Sequence, residues 1–319
     1  MSSKPIVYSW DDVGSPGRNL TGNKQNRIKQ ILKACLVDGY GDKPAAGWEM
    51  VHEHPNGFSM TNGFGVVNIV SDVEVFGGSV GMDFISLFLA EGITDTSGAI
   101  LKATNLVSGG NTNSSHHKVP LENSMITNLS YLRWSLYADA KTAILVFFSR
   151  YVNTGGVLYI GEFNSYLGKD NFVALGGTFG SSNFSDFASL HTSVTSLRDL
   201  ETGLITNKFV DFYGMPHGLD RNKDATNYLS SNIIGSDFFE FTRIPVALNG
   251  VGIVGTLRGL LFSPQLYRSF HVLPRSFTID GLVFADYAAL PLDFGTGDLI
   301  ATTFSWMGNV SVTDNEDYW

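Results

Sequence analysis

Residues Trp134–Gly177 read WSLYADAKTAILVFFSRYVNTGGVLYIGEFNSYLGKDNFVALGG, and the reading of this stretch decides the fold. It contains four short apolar or alternating runs: Trp134–Tyr137, Ala143–Ser149, Val157–Phe163 and Asn171–Gly176. Between them stand Ala138-Asp139-Ala140-Lys141, Asn153-Thr154-Gly155-Gly156 and Leu167-Gly168-Lys169-Asp170, all turn-like. Runs this short, broken at even spacing by turn formers, predict an antiparallel meander. The meander carries Phe147, Phe148, Tyr151, Tyr159, Phe163, Tyr166 and Phe172. It shows no nucleophile, base or ligand cluster, so it reads as a rigid scaffold.

Outward from the meander, further strands are expected at Val66–Val75, Gly81–Leu89, Phe209–Tyr213, Phe238–Val246, Ser276–Phe284 and Leu299–Trp306. One segment has a different period. Ile28, Ile31, Leu32, Cys35 and Leu36 recur at i, i+3, i+4, i+7 and i+8, one apolar stripe on a helix from about Gly22 to Val37. Asp38-Gly39 supplies its stop. Before it, Ile6–Gly22 reads as an extended arm rich in turn formers (Asp11, Asp12, Gly14, Ser15, Pro16, Gly17). Gly39–Trp48 is a tight, glycine-punctuated connection, while Ser108–Lys118, Gly177–Phe187 and Leu219–Tyr228 read as polar loops. The expected fold is mainly β, with antiparallel meanders or sandwich-like sheets, one N-terminal amphipathic helix and long loops. The expected organisation is an arm, helix and Gly-rich connection over 1–48, a β-domain over 49–185 and a second β-subdomain over 186–319.

Composition excludes several function classes. Hydrophobic residues make up 43% of the 319 and charged residues 16%, the opposite of a disordered chain. The 35 glycines suit a loop-rich β-protein, and 13% aromatics suit strands and interfaces. With 21 Lys and Arg against 30 Asp and Glu the net charge is −9, which repels a phosphate backbone; no nucleic-acid partner is expected. The densest basic segment, Arg18–Lys33, reads as a solvated helix face or as a contact to an acidic partner. No apolar run approaches the ~20 residues that span a bilayer as a helix, so no membrane partner is expected.

Chemistry-bearing constellations are few. His52-Glu53-His54 alternates as metal ligands on a strand would, but Pro55-Asn56-Gly57 makes a turn there, and exposed loop histidines are the simpler reading. His116-His117 falls in a Ser/Gly/Asn loop. Asp220-x-Asn222-x-Asp224 begins like a calcium loop, then has Ala225 where the turn glycine belongs and Ser231 where the bidentate Glu belongs. Cys35, the only cysteine, lies on the helix's apolar side and reads as a small core residue. Glu162, in Gly161-Glu162-Phe163-Asn164-Ser165-Tyr166, is the most suggestive carboxylate; a structural role is the commoner one for a buried strand carboxylate. No catalytic residue, cofactor or metal site is expected.

Several segments together carry a resemblance: Val7-Tyr8-Ser9-Trp10-Asp11-Asp12-Val13-Gly14-Ser15-Pro16, then Leu20-Thr21-Gly22, then Ile31–Trp48 with its Asp38-Gly39-Tyr40-Gly41-Asp42-Lys43-Pro44-Ala45-Ala46-Gly47-Trp48 ending. Trp134–Asp139, Gly161–Tyr166 and Gly255–Leu261 add to it. In this order they resemble a family of structural proteins of tailed bacteriophages and prophages. The chain departs from that pattern after Trp48, where Glu49–Pro55 replaces a Thr-Asn-Lys segment. The resemblance implies a non-enzymatic virion protein, made in the bacterial host cytoplasm and assembled in multiple copies into the tail, baseplate or neck. Its partners would be other virion proteins and copies of itself. Ile28, Ile31 and Leu32 on the helix, and Trp319, are the expected assembly contacts. Two alternatives stand beside this reading. One is a receptor- or carbohydrate-binding protein meeting a host-surface glycan through Ser108–Lys118 and Gly177–Phe187. The other is a glycan-degrading enzyme using Glu162.

Overall fold

A computed structural model describes residues 4–17, 20–71, 85–90, 92–100, 102–104, 107–108, 118–119, 132–149, 154–166, 172–179, 197–198, 205–206, 210–212, 242–248, 252–262, 278–279, 282–283, 310–312, 314 and 316–319. The chain opens with β1 (Ile6–Ser9), followed by helix α1 (Lys24–Leu32) and a π-helical turn (Lys33–Asp38). Next come β2 (Glu49–His54), β3 (Gly57–Thr61), β4 (Val66–Ser71), β5 (Ile85–Ala90), β6 (Gly92–Asp95) and β7 (Lys102–Thr104). Short strands β8 (Val107–Ser108) and β9 (Lys118–Val119) precede β10 (Leu132–Ala138), β11 (Thr142–Ser149), β12 (Thr154–Glu162), β13 (Asn164–Ser165) and β14 (Phe172–Phe179). The remainder holds β15 (Leu197–Arg198), β16 (Ile205–Thr206), β17 (Val210–Phe212), β18 (Thr242–Leu248) and β19 (Gly252–Phe262). Last are β20 (Thr278–Ile279), β21 (Leu282–Val283) and β22 (Val310–Val312), before a closing 3₁₀ turn (Glu316–Tyr318).

The protein is mainly β, and among the described residues every strand pair is antiparallel. The meander forms one sheet in the order β1-β10-β11-β12-β14. A second sheet runs β2-β3-β4-β5-β8, with β9 also on β5, and a third runs β13-β19-β18-β17, with β22 on β19. Strand β12 begins at Thr154, so Gly155 and Gly156, expected in a turn, instead pair with Phe148 and Phe147. The stretch Ser276–Phe284, expected as one strand, holds the short hairpin β20–β21. The expected strand at Leu299–Trp306 and the loop Leu219–Tyr228 lie outside the described residues, as does most of Ser108–Lys118 and Gly177–Phe187.

One core unites the first two sheets with the helix. Trp134, Leu136, Leu145, Leu158, Ile160 and Phe172 of the meander meet Phe58, Met60, Val67, Ile69, Leu87 and Leu89 of the second sheet. Ile28, Ile31, Leu32, Cys35 and Leu36 join the same cluster. The other faces of the strands are enclosed too: Tyr137, Ile144, Val146, Tyr159 and Val173 are buried. Burial on both faces explains why Ala143–Val146 is continuously apolar instead of alternating. Each such side chain contributes about 1.5–3 kcal/mol by leaving water.

The helix is set by local chemistry. Asn23 caps its start, its side-chain oxygen accepting the Asn26 N–H at 2.9 Å. Its end widens into the π turn, and the carbonyls turned aside are met by the returning chain. Cys35 O accepts from Ala46 N–H at 3.1 Å, and Leu36 O from Gly47 and Trp48 at 3.1 and 3.0 Å. On the outer face Lys29 and Lys33 lie 3.5 and 2.7 Å from Glu53 of β2. The basic segment thus finds an acidic partner within its own chain, a half-exposed pairing that contributes at most about 1 kcal/mol.

Two expectations need correction. The first 48 residues are no separate arm: β1 pairs residue for residue with β10, and Tyr8, Leu20, the helix stripe and Trp48 share the core of residues 58–174. A period-3.6 stripe must be covered by something, and here its own sheets cover it. Ile28, Ile31 and Leu32 are accordingly buried within the chain and offer no face to a neighbouring subunit. The boundary expected at 185/186 lies outside the described residues.

Candidate functional site

Two polar networks among the described residues each begin with a turn aspartate. The first is the β10–β11 turn. Asp139 N–H donates to Thr142 O at 3.0 Å, and its carboxylate accepts the N–H groups of Lys141 and Thr142 at 2.9 and 2.8 Å. Aspartate folds such a turn by standing in for a backbone acceptor. Buried here, the charge requires a counter-charge, and Arg258 of β19 supplies it. Its Nη2 lies 2.6 Å from Oδ2 and its Nη1 3.2 Å from Oδ1, a two-pronged contact. Both residues are 4% exposed.

The network extends from there. Arg258 Nη1 donates to Thr142 Oγ1 at 2.7 Å, and that hydroxyl donates to Glu162 O at 2.8 Å. Tyr159 donates to the same carbonyl at 2.7 Å and accepts the Arg258 backbone N–H at 3.2 Å. Burial pushes the Tyr159 phenol well above its ordinary range. From other directions Trp48 Nε1 donates to Asp139 O at 3.0 Å and Asn62 Nδ2 to Lys141 O at 2.9 Å. Four distant stretches of chain therefore meet on one turn.

Trp319 closes the site. Gly259 has φ +64°, and a Cβ there would stand 2.4 Å from the indole of Trp319, so the missing side chain is the space the ring fills. The Arg258 guanidinium lies 5.8 Å from that ring, and Arg243 stacks 4.7 Å from Tyr318. Trp319 was expected as an assembly contact. It is instead buried in its own chain, because β22 pairs with β19 and carries it there.

The second gathering ties the beginning of the chain. Asp12 accepts Ser9 N–H at 2.7 Å and Tyr40 Oη at 2.9 Å, and pairs with Lys43 Nζ at 2.5 Å. Lys43 also donates to Val7 O at 2.7 Å, while Tyr8 Oη donates to Pro44 O at 2.7 Å. Gly41, at φ +57°, passes so close to Val13 that a Cβ would stand 2.3 Å from its carbonyl oxygen. Trp134 Nε1 bonds Gly17 O at 3.0 Å, fastening the loop to the meander. Beneath it Cys35 is fully buried, and burial holds its thiol far above the usual range. A thiol reagent at pH 8 is therefore expected to leave Cys35 unmodified in the folded protein and to label it stoichiometrically in denaturant. Labelling at equal rates in both states would contradict this placement.

The remaining sequence candidates are placed as follows. His52 is a buried strand residue with Nε2 2.8 Å from Gly98 O, where an exposed loop histidine was expected; the pleat of β2 turns it inward beside a bulge. His54 accepts Asn56 N–H at 3.1 Å and caps the hairpin turn, its ring 6.3 Å from that of His52. Among the described residues no group of three His, Cys, Asp or Glu is placed to hold a metal ion. Glu162 is buried, with Lys141 Nζ 3.4 Å from Oε2. His116, His117, Asp220, Asn222 and Asp224 lie outside the described residues. Arg258, the centre of the first network, had one signal in the sequence: a lone charge within the apolar run Gly252–Phe262. Among the described residues the large apolar side chains standing in solvent are Val13, Phe64 and Tyr166.

The site thus defines a class, an antiparallel β-protein whose buried charges bind its own distant segments to one another. No protein-family model matches the chain, and no curated protein matches it significantly.

Proposed function

We propose that this chain is a non-enzymatic structural subunit of a bacteriophage virion, assembled in multiple copies into the tail, baseplate or neck. The observation that carries the reading is the use of the internal ion pairs, Asp139–Arg258 buried and Asp12–Lys43 partly exposed. Asp139, Arg258, Asp12 and Lys43 have their charges engaged by internal partners that fasten segments up to 119 residues apart. A scaffold so fastened suits a particle subunit, which must stay rigid under load. The resemblance of Val7–Trp48 to phage structural proteins points the same way, and that segment holds the whole Asp12–Lys43 fastening. Its partners are other virion proteins and copies of itself, and its place is the virion.

Mass spectrometry of purified particles with copy-number estimation tests this. The expected result is recovery at a ring or capsomer multiple; recovery only as a free monomer absent from particles would refute it. The enzymatic alternative has its own test. Thr142 and Tyr159 bond the Glu162 backbone carbonyl, which Glu162→Gln leaves in place. That variant is expected to keep infectivity within about twofold of the parent and its melting temperature nearly unchanged, since the amide keeps the side chain's shape and the Lys141 partner is half-exposed and 3.4 Å away. Polysaccharide cleavage by the purified protein, abolished by Glu162→Gln at constant melting temperature, would move the reading to a glycan-degrading enzyme.

A further inference from the structure

Strand β1 stands at one edge of the meander sheet, and among the described residues β10 is the strand that pairs with it. The direction of its backbone groups follows from one bond. Trp10 N–H donates to Trp134 O at 3.1 Å, and antiparallel bonding alternates along a strand, so Tyr8 and Ile6 exchange their bonds with Leu136 and Ala138. The N–H and C=O groups of Val7 and Ser9 therefore point away from the sheet. A row of outward backbone groups is a template on which a strand of another chain can add.

Side chains and a turn amide occupy that row. Val7 O accepts Lys43 Nζ at 2.7 Å, and Ser9 N–H donates to Asp12 Oδ2 at 2.7 Å. Ser9 O accepts Asp12 N–H at 3.2 Å and lies 3.4 Å from Tyr40 Oη. One turn supplies both of the reaching side chains: Tyr40 and Lys43 exchange backbone bonds of 3.0 and 2.9 Å, which aims the phenol and the ammonium at the same edge. Asp12 Oδ2 then binds both of them. Asp12 and Lys43 still keep 22% and 28% of their side-chain surface, so water reaches this edge and an incoming strand would reach it too. Such a strand would have to displace Lys43 from Val7 and from its counter-charge. We propose that Asp12, Tyr40 and Lys43 form an edge guard, which occupies the outward hydrogen-bonding groups of β1 and keeps one copy of the chain from adding a strand to β1 of another.

Lys43→Met in the full-length chain keeps an unbranched stem, removes the ammonium and frees Val7 O. In analytical ultracentrifugation it is expected to shift toward larger species as concentration rises, relative to the parent at the same concentrations, while its near-ultraviolet circular dichroism stays that of the parent. Adding Val7→Pro should return it to the parent's profile. That N–H points away from β10, so proline removes no bond of the sheet and takes away a donor that a new strand needs. Lys43→Arg, which keeps the charge and the donors, should sediment as the parent does. A Lys43→Met profile indistinguishable from the parent's overturns the guard, and so does association that persists after Val7→Pro. Should Lys43→Met fail to fold, Asp12→Ala frees the Ser9 N–H and is read the same way, again with Val7→Pro as its suppressor.

Discussion

Arg258→Ala is expected to lower the unfolding free energy by about 3–5 kcal/mol, because it leaves the buried Asp139 carboxylate without its counter-charge. The loss has identifiable parts. Thr142 Oγ1 loses a charged donor, and Trp319 loses the guanidinium beside its ring. Asp139→Ala is expected to cost a similar amount, since it strands Arg258 and also removes the acceptor for two turn amides. The double variant should cost clearly less than the sum of the two, as residues within one network couple. Denaturant melts of the four proteins measure this directly. Additive losses would show that the two side chains act separately and that the network is no unit.

Ile31→Asp is expected to unfold the protein. Ile31 is 2% exposed at the centre of the stripe, against the second sheet, and an unpaired carboxylate there costs several kcal/mol beyond the lost apolar contact. Typical domain stabilities of about 5–15 kcal/mol leave little margin for that. Loss of the cooperative melt and of near-ultraviolet circular dichroism is the expected readout. A variant that melts like the parent yet fails to enter particles would mean that the stripe faces a neighbour, contrary to its packing here. Leu32→Asp should behave alike, being equally enclosed.

The elements legible in the sequence are those whose partners are near in sequence. The meander strands could be read because each pairs with the next across a turn, as Ala138↔Ala143 and Glu162↔Phe172 do. The helix could be read because its period needs only its own residues. What stayed hidden depends on distant residues. Trp48 and Asp139 are 91 positions apart, Trp134 and Gly17 117, and nothing local in either member of a pair names the other. The pairing of β1 with β10 turned an expected arm into a sheet strand for the same reason. His52 was misplaced because the turn signal Pro55-Asn56-Gly57 was read back over it, whereas strand β2 runs on to His54 before the turn begins. The helix carries a subtler point: an apolar stripe shows that something will cover it, without saying whether the cover is the same chain, and here its own sheets cover it.

The span between Asp139 and Arg258 also orders events while the chain is being made. The two are 119 residues apart, so at about 5–20 residues per second the ribosome delivers Arg258 some 6–24 s after Asp139. During that interval the Asp139 carboxylate has no Arg258 counter-charge, and water must solvate it. A half-made chain therefore keeps the β10–β11 corner wet, and final closure waits for translation to reach β19. Nascent chains truncated before residue 258 should remain protease-sensitive at this corner, which makes the ion pair a timer on maturation as well as a fastening.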